Sequence, residues 1–155
     1  MDFSVVITTY NRPDYLEQSL KSVLAQHVQP KEIIVVDDNS ATSYDDVLSK
    51  FDDARIQYLK QPVSGGANVA RNRGVKESSG DIVAFLDDDD IWLPVYLDHH
   101  QEKYLDGADA VVSGFRHLGH ESKIRINSDT VVSKTSLIRG NHYCGMSGFS
   151  AKRDL

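Results

Sequence analysis

Asp81-Ile82-Val83-Ala84-Phe85-Leu86-Asp87-Asp88-Asp89-Asp90 runs five apolar residues straight into four acids. A short apolar run bounded by turn-forming residues reads as a strand buried on both faces. Three upstream segments have the same form. Phe3-Ser4-Val5-Val6-Ile7-Thr8 and Glu32-Ile33-Ile34-Val35-Val36 are apolar and β-branched, and Ile56-Gln57-Tyr58-Leu59 is a weaker third. Strands covered on both faces belong to parallel sheets, whose crossovers need helices.

The helices are legible between them. Leu16, Leu20, Val23 and Leu24 fall on one helical face, with Asn11 expected as the cap and Pro13 in the first turn. A short helix is expected over Ser43–Lys50, with Asp46 three residues after Ser43 as a capping box. Gly65-Gly66 opens a third helix that carries Ala67, Ala70, Gly74 and Val75 inward, and Gly80 is expected to close it as a C′ glycine. A fourth runs from Pro94 to Leu105. The order βαβαβαβα predicts an α/β three-layer sandwich around a mainly parallel sheet. After Gly107 the pattern changes. Ala110–Phe115, Lys123–Ile126 and Thr130–Val132 predict a small mixed or antiparallel part, and Ile138–Leu155 has no clear period.

A chain of 155 residues fits one domain and can bury a core without staples. The net charge of −6 argues against a nucleic-acid partner, which needs a basic face. The lone Cys144 excludes an internal disulfide and fits a reducing compartment. No apolar run approaches the length of a membrane span, so a cytoplasmic protein with at most peripheral membrane attachment is expected. The acids are 18 Asp and only 5 Glu, a bias toward caps, turns and metal sites.

Ligands of open parallel sheets bind outside the carboxyl ends of the strands. Those ends are Thr8-Thr9-Tyr10-Asn11, Asp37-Asp38-Asn39-Ser40 and Asp87-Asp88-Asp89-Asp90. Two strands thus bring six carboxylates to one rim, and their repulsion must be offset by a cation, helix N-termini or hydrogen-bond donors. Asp87 and Asp89 share parity and can face one side, where Mg²⁺ or Mn²⁺ would leave positions for ligand phosphates. Arg71 offers a planar fork for a base or phosphate, while Arg73 cannot share its helical face. There is neither a G-x-x-x-x-G-K-[ST] nor a G-x-G-x-x-G motif, so a phosphate would be held through metal and side chains.

Four motifs in order resemble the large family of inverting nucleotide-sugar glycosyltransferases with the GT-A fold. They are Phe3-Ser-Val-Val-Ile-Thr-Thr-Tyr-Asn-Arg-Pro-Asp-Tyr-Leu, Ile33-Ile-Val-Val-Asp-Asp-Asn-Ser, Ala70-Arg-Asn-Arg-Gly and Gly80-Asp-Ile-Val-Ala-Phe-Leu-Asp-Asp-Asp-Asp. The resemblance implies a donor site in which Thr8 and Tyr10 line the nucleobase pocket and Asp38 accepts from the pyrimidine N3–H. Arg71 would contact base or phosphate, Asp88 would lie by the ribose, and Asp89, supported by Asp87, would bind the metal on the diphosphate. It implies a nucleotide-diphosphate sugar (a UDP-sugar for preference), a glycan or lipid-linked acceptor, and a setting in surface polysaccharide synthesis. Residues 1–155 would form a single GT-A domain, with 1–106 its nucleotide-binding half and 107–155 part of its acceptor side. The family's catalytic base lies downstream of the region matching Gly140–Leu155, so the chain is expected to be cut short of it and no residue is assigned as catalytic.

Other readings compete. Leu86-Asp87-Asp88-Asp89-Asp90-Ile91 nearly fits the D-x-D-x-[TV] motif of haloacid-dehalogenase-like phosphatases, with Asp87 as nucleophile and Asp89 as acid. That motif stands on a first strand, whereas three precede it here. A module that binds nucleotide without turnover is the second rival. His99, His100, His117, His120 and His142, with Cys144, raise a zinc alternative without the tight spacing of catalytic zinc sites. Trp92 is expected to pack beside the acidic loop, with contact to sugar or acceptor as an alternative.

Overall fold

The computed structural model describes residues 1–119, the backbone of 124–125, and residues 145–155. Its centre is four parallel strands: β1 (Phe3–Thr9), β2 (Glu32–Asp37), β3 (Ile56–Lys60) and β4 (Ile82–Asp87). β1 lies between β2 and β4, and β3 flanks β2. Helices α1 (Pro13–Leu24), α2 (Asp45–Leu48) and α3 (Ala67–Glu77) make the crossovers, and α4 (Tyr96–Leu105) follows β4. Thr8 is level with Asp87 across one ladder, and Thr9 with Asp37 across the other. Three strands therefore end together, and their loops leave from one rim.

The period of two sorts the strand residues into two cores. Val5, Ile7, Ile33, Val35, Ala84 and Leu86 pack with Leu16, Leu20 and Val23 of α1 and with Leu97 and Tyr104 of α4. Val6, Ile34, Val36, Val83 and Phe85 pack with Ala70 of α3 on the other face. These are the three layers expected, and each fully buried aliphatic side chain contributes about 1.5–3 kcal/mol.

Gly74 sets how closely α3 approaches β1. A Cβ built there would lie 2.3 Å from Cγ1 of Val6, which has no room to move in the core. Gly74→Ala is expected to lower unfolding stability by about 1–3 kcal/mol, the usual cost of overpacking. Denaturant titration checks this, and an unchanged midpoint would show that the layers can part at no cost.

Local details depart from expectation. Asn11 does not cap α1. It adopts φ 54° and its Oδ1 accepts from the Ala41 and Thr42 amides (2.9 and 3.3 Å), tying two rim loops together. The helix after Ser43 is a single turn, and Ser43 Oγ accepts from Asp45 N (3.1 Å) instead of joining a capping box with Asp46. Ala67 is exposed, one residue after the N-cap of α3. Gly80 is not a left-handed cap. Its amide donates to Ser4 Oγ (2.8 Å), and a Cβ there would meet Ser4 of β1 and the carbonyl of Asp2 just before it. Pro94 precedes α4 instead of starting it.

The segment expected as one strand over Ala110–Phe115 is two, β5 (Ala110–Val112) and β6 (Phe115–Arg116). Between them Ser113 N donates to Gly148 O (2.8 Å), one step beyond the last β5–β8 pair, before the chain leaves for β6. β6 pairs antiparallel with β7 (Ile124–Arg125). The unexpected element is β8 (Phe149–Lys152), which enters the main sheet between β4 and β5, antiparallel to both. Its buried Ser150 hides it from a hydrophobicity reading. That hydroxyl is 2.7 Å from both His100 Nδ1 and Tyr104 OH, so a polar residue fits the core. The strand expected over Thr130–Val132, with His120, Gly140, Asn141, His142 and Cys144, lies outside the described residues. Among the described residues no helix is long and apolar enough to cross a membrane.

Candidate functional site

The six acids of the rim separate by side-chain direction. Asp37 is fully buried and receives Ser40 N (2.9 Å), Ser40 Oγ and Tyr58 OH (2.7 Å), which makes it a tie between loop and sheet. Asp90 is exposed at the surface. It does not cap α4, which begins six residues later. Asp88, expected beside a ribose, is 1% exposed and lies outside the cavity lining. Its Oδ2 accepts from Thr9 Oγ1 (2.7 Å), and its Oδ1 pairs with Arg12 Nη2 at 2.6 Å. The chain turns here, with Asp90 N donating to Asp87 O (3.1 Å) and Asp88 N to Thr8 O (3.3 Å), and the Asp88 side chain goes under the rim. Burial is the main cause that pushes its carboxyl above the ordinary value, against Thr9 and Arg12.

The remaining three acids face one cavity of about 410 Å³. Thr8, Tyr10, Asp38, Arg71, Asp87 and Asp89 line it together, with Arg12 and Ser64 beside them. Of the seven residues expected at a site, six meet here. Arg71 Nη2 pairs with Asp87 Oδ1 at 2.6 Å and Nη1 donates to Asn68 Oδ1 (2.9 Å). Its Nε is buried with no hydrogen-bond partner among the described residues. Arg73 points elsewhere, to Lys60 O and Gln61 Oε1, as helical spacing demands.

Asp38 organises the start of α3. It accepts from Gly65 N (2.9 Å), Gly66 N (2.8 Å) and Ser64 Oγ (2.7 Å). Gly66 has φ +84°, a conformation other residues resist, and it lets two successive amides turn onto one carboxylate. Burial opposes the charged form of Asp38, but the donors from Gly65, Ser64 and Gly66 outweigh it and hold the carboxyl below its ordinary range. A depressed carboxyl stabilises the fold fully above its unfolded value and ceases to do so as pH falls through the folded one. This contribution is therefore lost only below about pH 4.

The donor set suits a hard divalent cation. Asp87 Oδ1 is taken by Thr8 and Arg71, and Asp89 Oδ2 by Arg12. Among the described residues Asp87 Oδ2 and Asp89 Oδ1 have no hydrogen-bond or ion-pair partner, so each acid keeps one oxygen for a ligand. Two carboxylates with remaining positions filled by water and phosphate is the usual Mg²⁺ arrangement. No three His, Cys, Asp or Glu side chains converge as a metal cage among the described residues.

The sequence reading missed three residues. Arg12 balances Asp88 and Asp89, and its signal was its place in Asn11-Arg12-Pro13 at the carboxyl end of β1. Ser64 reaches Asp38. Ser147 lies far along the chain; its Oγ accepts from Asp87 N (2.9 Å) and its carbonyl from Trp92 Nε1 (2.7 Å), and no local pattern announces it. Trp92 is buried and stacks on Tyr96 at 4.0 Å, the packing role expected. Asp154 is remote. Lys152 pairs with Ile82 at the amino end of β4, which places Asp154 toward the sheet edge opposite Asp87.

A family model described as glycosyl transferase family 2 matches residues 4–148. The GalNAc(5)-diNAcBac-PP-undecaprenol beta-1,3-glucosyltransferase of Campylobacter jejuni is 40% identical over 107 residues, 67% of this chain and 35% of that protein. The UDP-Glc:alpha-D-GlcNAc-diphosphoundecaprenol beta-1,3-glucosyltransferase WfgD of Escherichia coli is 38% identical over 90 residues, 58% of this chain and 36% of that one. Among solved structures, S. aureus TarS 1-349 in complex with UDP-GlcNAc superposes with a TM-score of 0.70 at 27% identity, over 77% of this chain and 36% of that chain. The chain spans about a third of the length of these curated relatives.

Proposed function

The chain belongs to glycosyl transferase family 2 and has its GT-A fold, and from that premise we propose that it binds a nucleoside-diphosphate sugar, UDP-linked, and transfers the sugar with inversion to a hydroxyl of a glycan or lipid-linked acceptor. Membership of this family displaces the phosphatase reading. The observation that carries the proposal is the convergence of Thr8, Tyr10, Asp38, Arg71, Asp87 and Asp89 on one cavity. UDP-GlcNAc bound to TarS and the UDP-Glc donor in the name of WfgD support the donor class, and the undecaprenol-linked acceptors of the relatives support the acceptor class and a surface-polysaccharide setting. We read 1–155 as one domain, with the donor side in 1–106 and the acceptor side in 107–155.

Thr8 and Tyr10 would flank the base, with Asp38 meeting its N3–H through its remaining acceptor capacity. Arg71, which lines the cavity, would meet base or phosphate through its guanidinium. Asp87 and Asp89 would hold Mn²⁺ or Mg²⁺, which when bound supplies neutralisation of the departing diphosphate. Arg71 and Arg12 add fixed positive charge beside it. Asp88 acts from beneath, through Arg12 and Thr9.

The test is calorimetric titration with UDP and UDP-sugars, with and without Mn²⁺. Saturable binding of UDP, tighter with the cation, is expected; no binding in either condition would refute the proposal. Asp38→Asn replaces one acceptor oxygen by an amide NH2 that faces an N–H or O–H donor. It is expected to weaken UDP binding and to cost about 1–3 kcal/mol of stability through the unmatched donor. Unaltered UDP affinity in a folded Asp38→Asn protein would remove Asp38 from the base pocket.

A further inference from the structure

Arg12 is fixed from both ends. Behind it Asn11 is tied to the β2–α2 loop, with its amide donating to Ser40 Oγ (2.8 Å), and ahead of it Pro13 begins α1. The Arg12 amide donates to Tyr44 OH (3.1 Å). Tyr44 OH lies 2.8 Å from Thr9 Oγ1, and Thr9 gives its single proton to Asp88 Oδ2, so Tyr44 must donate to Thr9. Asp88 Oδ1 closes the ring on Arg12 Nη2 at 2.6 Å. The ring joins β1, the β1–α1 loop, the start of α2 and the end of β4. It leaves Nη1 of the same guanidinium 2.8 Å from Asp89 Oδ2.

Two features go beyond a structural ion pair. The side chain of Arg12 is 43% exposed and lines the cavity, while its anchor Asp88 is fully enclosed. A guanidinium has five N–H groups; Nη1 donates one to Asp89 Oδ2, while Asp88 Oδ1 is held beside Nη2 as an ion pair without a hydrogen bond, so donors of the fork remain unspent. A cationic fork with donors to spare therefore stands beside the two acids that would hold the cation.

We propose that Arg12 is a positioning residue for the diphosphate end of the donor: anchored on Asp88, it holds Asp89 in place, opposes a cation arriving alone, and attracts the nucleoside diphosphate. This rests on the donor-site reading given above. It has a signature that structural support does not, because the two ligands respond in opposite directions when Arg12 is removed.

The experiment measures Mn²⁺ alone by electron paramagnetic resonance, and UDP in the presence of EDTA by calorimetry. Arg12→Met is expected to bind Mn²⁺ about tenfold more tightly and UDP about tenfold more weakly, the scale of one unit charge acting across a few ångströms near a surface. Arg12→Lys keeps the charge but cannot bridge two carboxylates, so its Mn²⁺ affinity should stay near that of the wild type while UDP affinity falls part of the way. The pair Arg12→Met with Asp88→Asn spares the buried carboxylate from standing alone. In that protein the two charge changes offset, so Mn²⁺ affinity should change little, while part of the UDP loss should persist because the exposed donors of the fork are gone. Affinities that fall together in Arg12→Met, or that do not move, overturn the proposal, as does wild-type UDP affinity in the paired variant. Failure of the wild type itself to bind UDP would count against the donor-site reading, and the Mn²⁺ measurement would still decide whether Arg12 opposes the cation.

Discussion

Asp89→Asn is expected to abolish most of the gain in UDP affinity that Mn²⁺ confers. The substitution keeps the shape of the side chain and its contact with Arg12, but turns a charged oxygen ligand into a neutral amide. Groups one shell out from a metal commonly cost 10–100-fold in affinity when changed, and a direct ligand should cost about hundredfold or more. Affinity for UDP without cation should change far less, and should rise slightly, because a negative charge near the diphosphate is removed. Titrations of both proteins with and without Mn²⁺ give four affinities and one difference. A full Mn²⁺ effect in the variant would mean that the cation is held elsewhere on the rim, and the part given to Asp89 would be wrong.

Acid should destabilise the fold through His100. This side chain is 2% exposed on α4, its Nδ1 is 2.7 Å from Ser150 Oγ, and its ring lies tilted against Tyr96 with centroids 4.1 Å apart. Burial above all, and His99 beside it, push the imidazole down to about 4 from 6.5. The sign follows from which state takes the proton first. The unfolded chain binds it near 6.5, while the folded chain resists until about 4. Stability is therefore complete above the unfolded value and declines as pH falls between the two. The full span corresponds to about 3 kcal/mol, of which roughly half should be gone near pH 5. Thermal melts between pH 7 and 5 should show this loss, and His100→Gln, which cannot titrate, should flatten it. An equal slope in the variant would show that other groups carry the acid sensitivity.

Those two outcomes depend on the sequence to different degrees. The α/β sandwich was legible because strands buried on both faces have no choice but to be apolar at every position, and Val5-Val6-Ile7 and Ile33-Ile34-Val35-Val36 cannot be satisfied at the surface. Parallel strands need crossovers, so the helices between them followed. The rim followed too, because the carboxyl ends of parallel strands lie on one side. The rim collects the ends of three strands, and the family resemblance singled out Thr8, Tyr10, Asp38, Arg71, Asp87 and Asp89 there, across just over eighty residues of chain.

What only the tertiary structure decided depends on contacts between residues distant in the chain. β8 escaped notice because Ser150 is buried through His100 and Tyr104, partners about fifty residues away. The same acids in one run took different fates, since Asp88 met Thr9 and Arg12 beneath the rim while Asp87 met Arg71 within it. Composition gave the rim its charge, but it could not say which agent offsets the repulsion. Arg12 does so at Asp88 and Asp89, and Arg71 at Asp87, because folding brings the ends of β1 and β4 and the start of α3 within an ion pair's reach. Local pattern reports which face a residue prefers; the partner it finds there is set by packing over long separations, and that is where the direction of each carboxylate was determined.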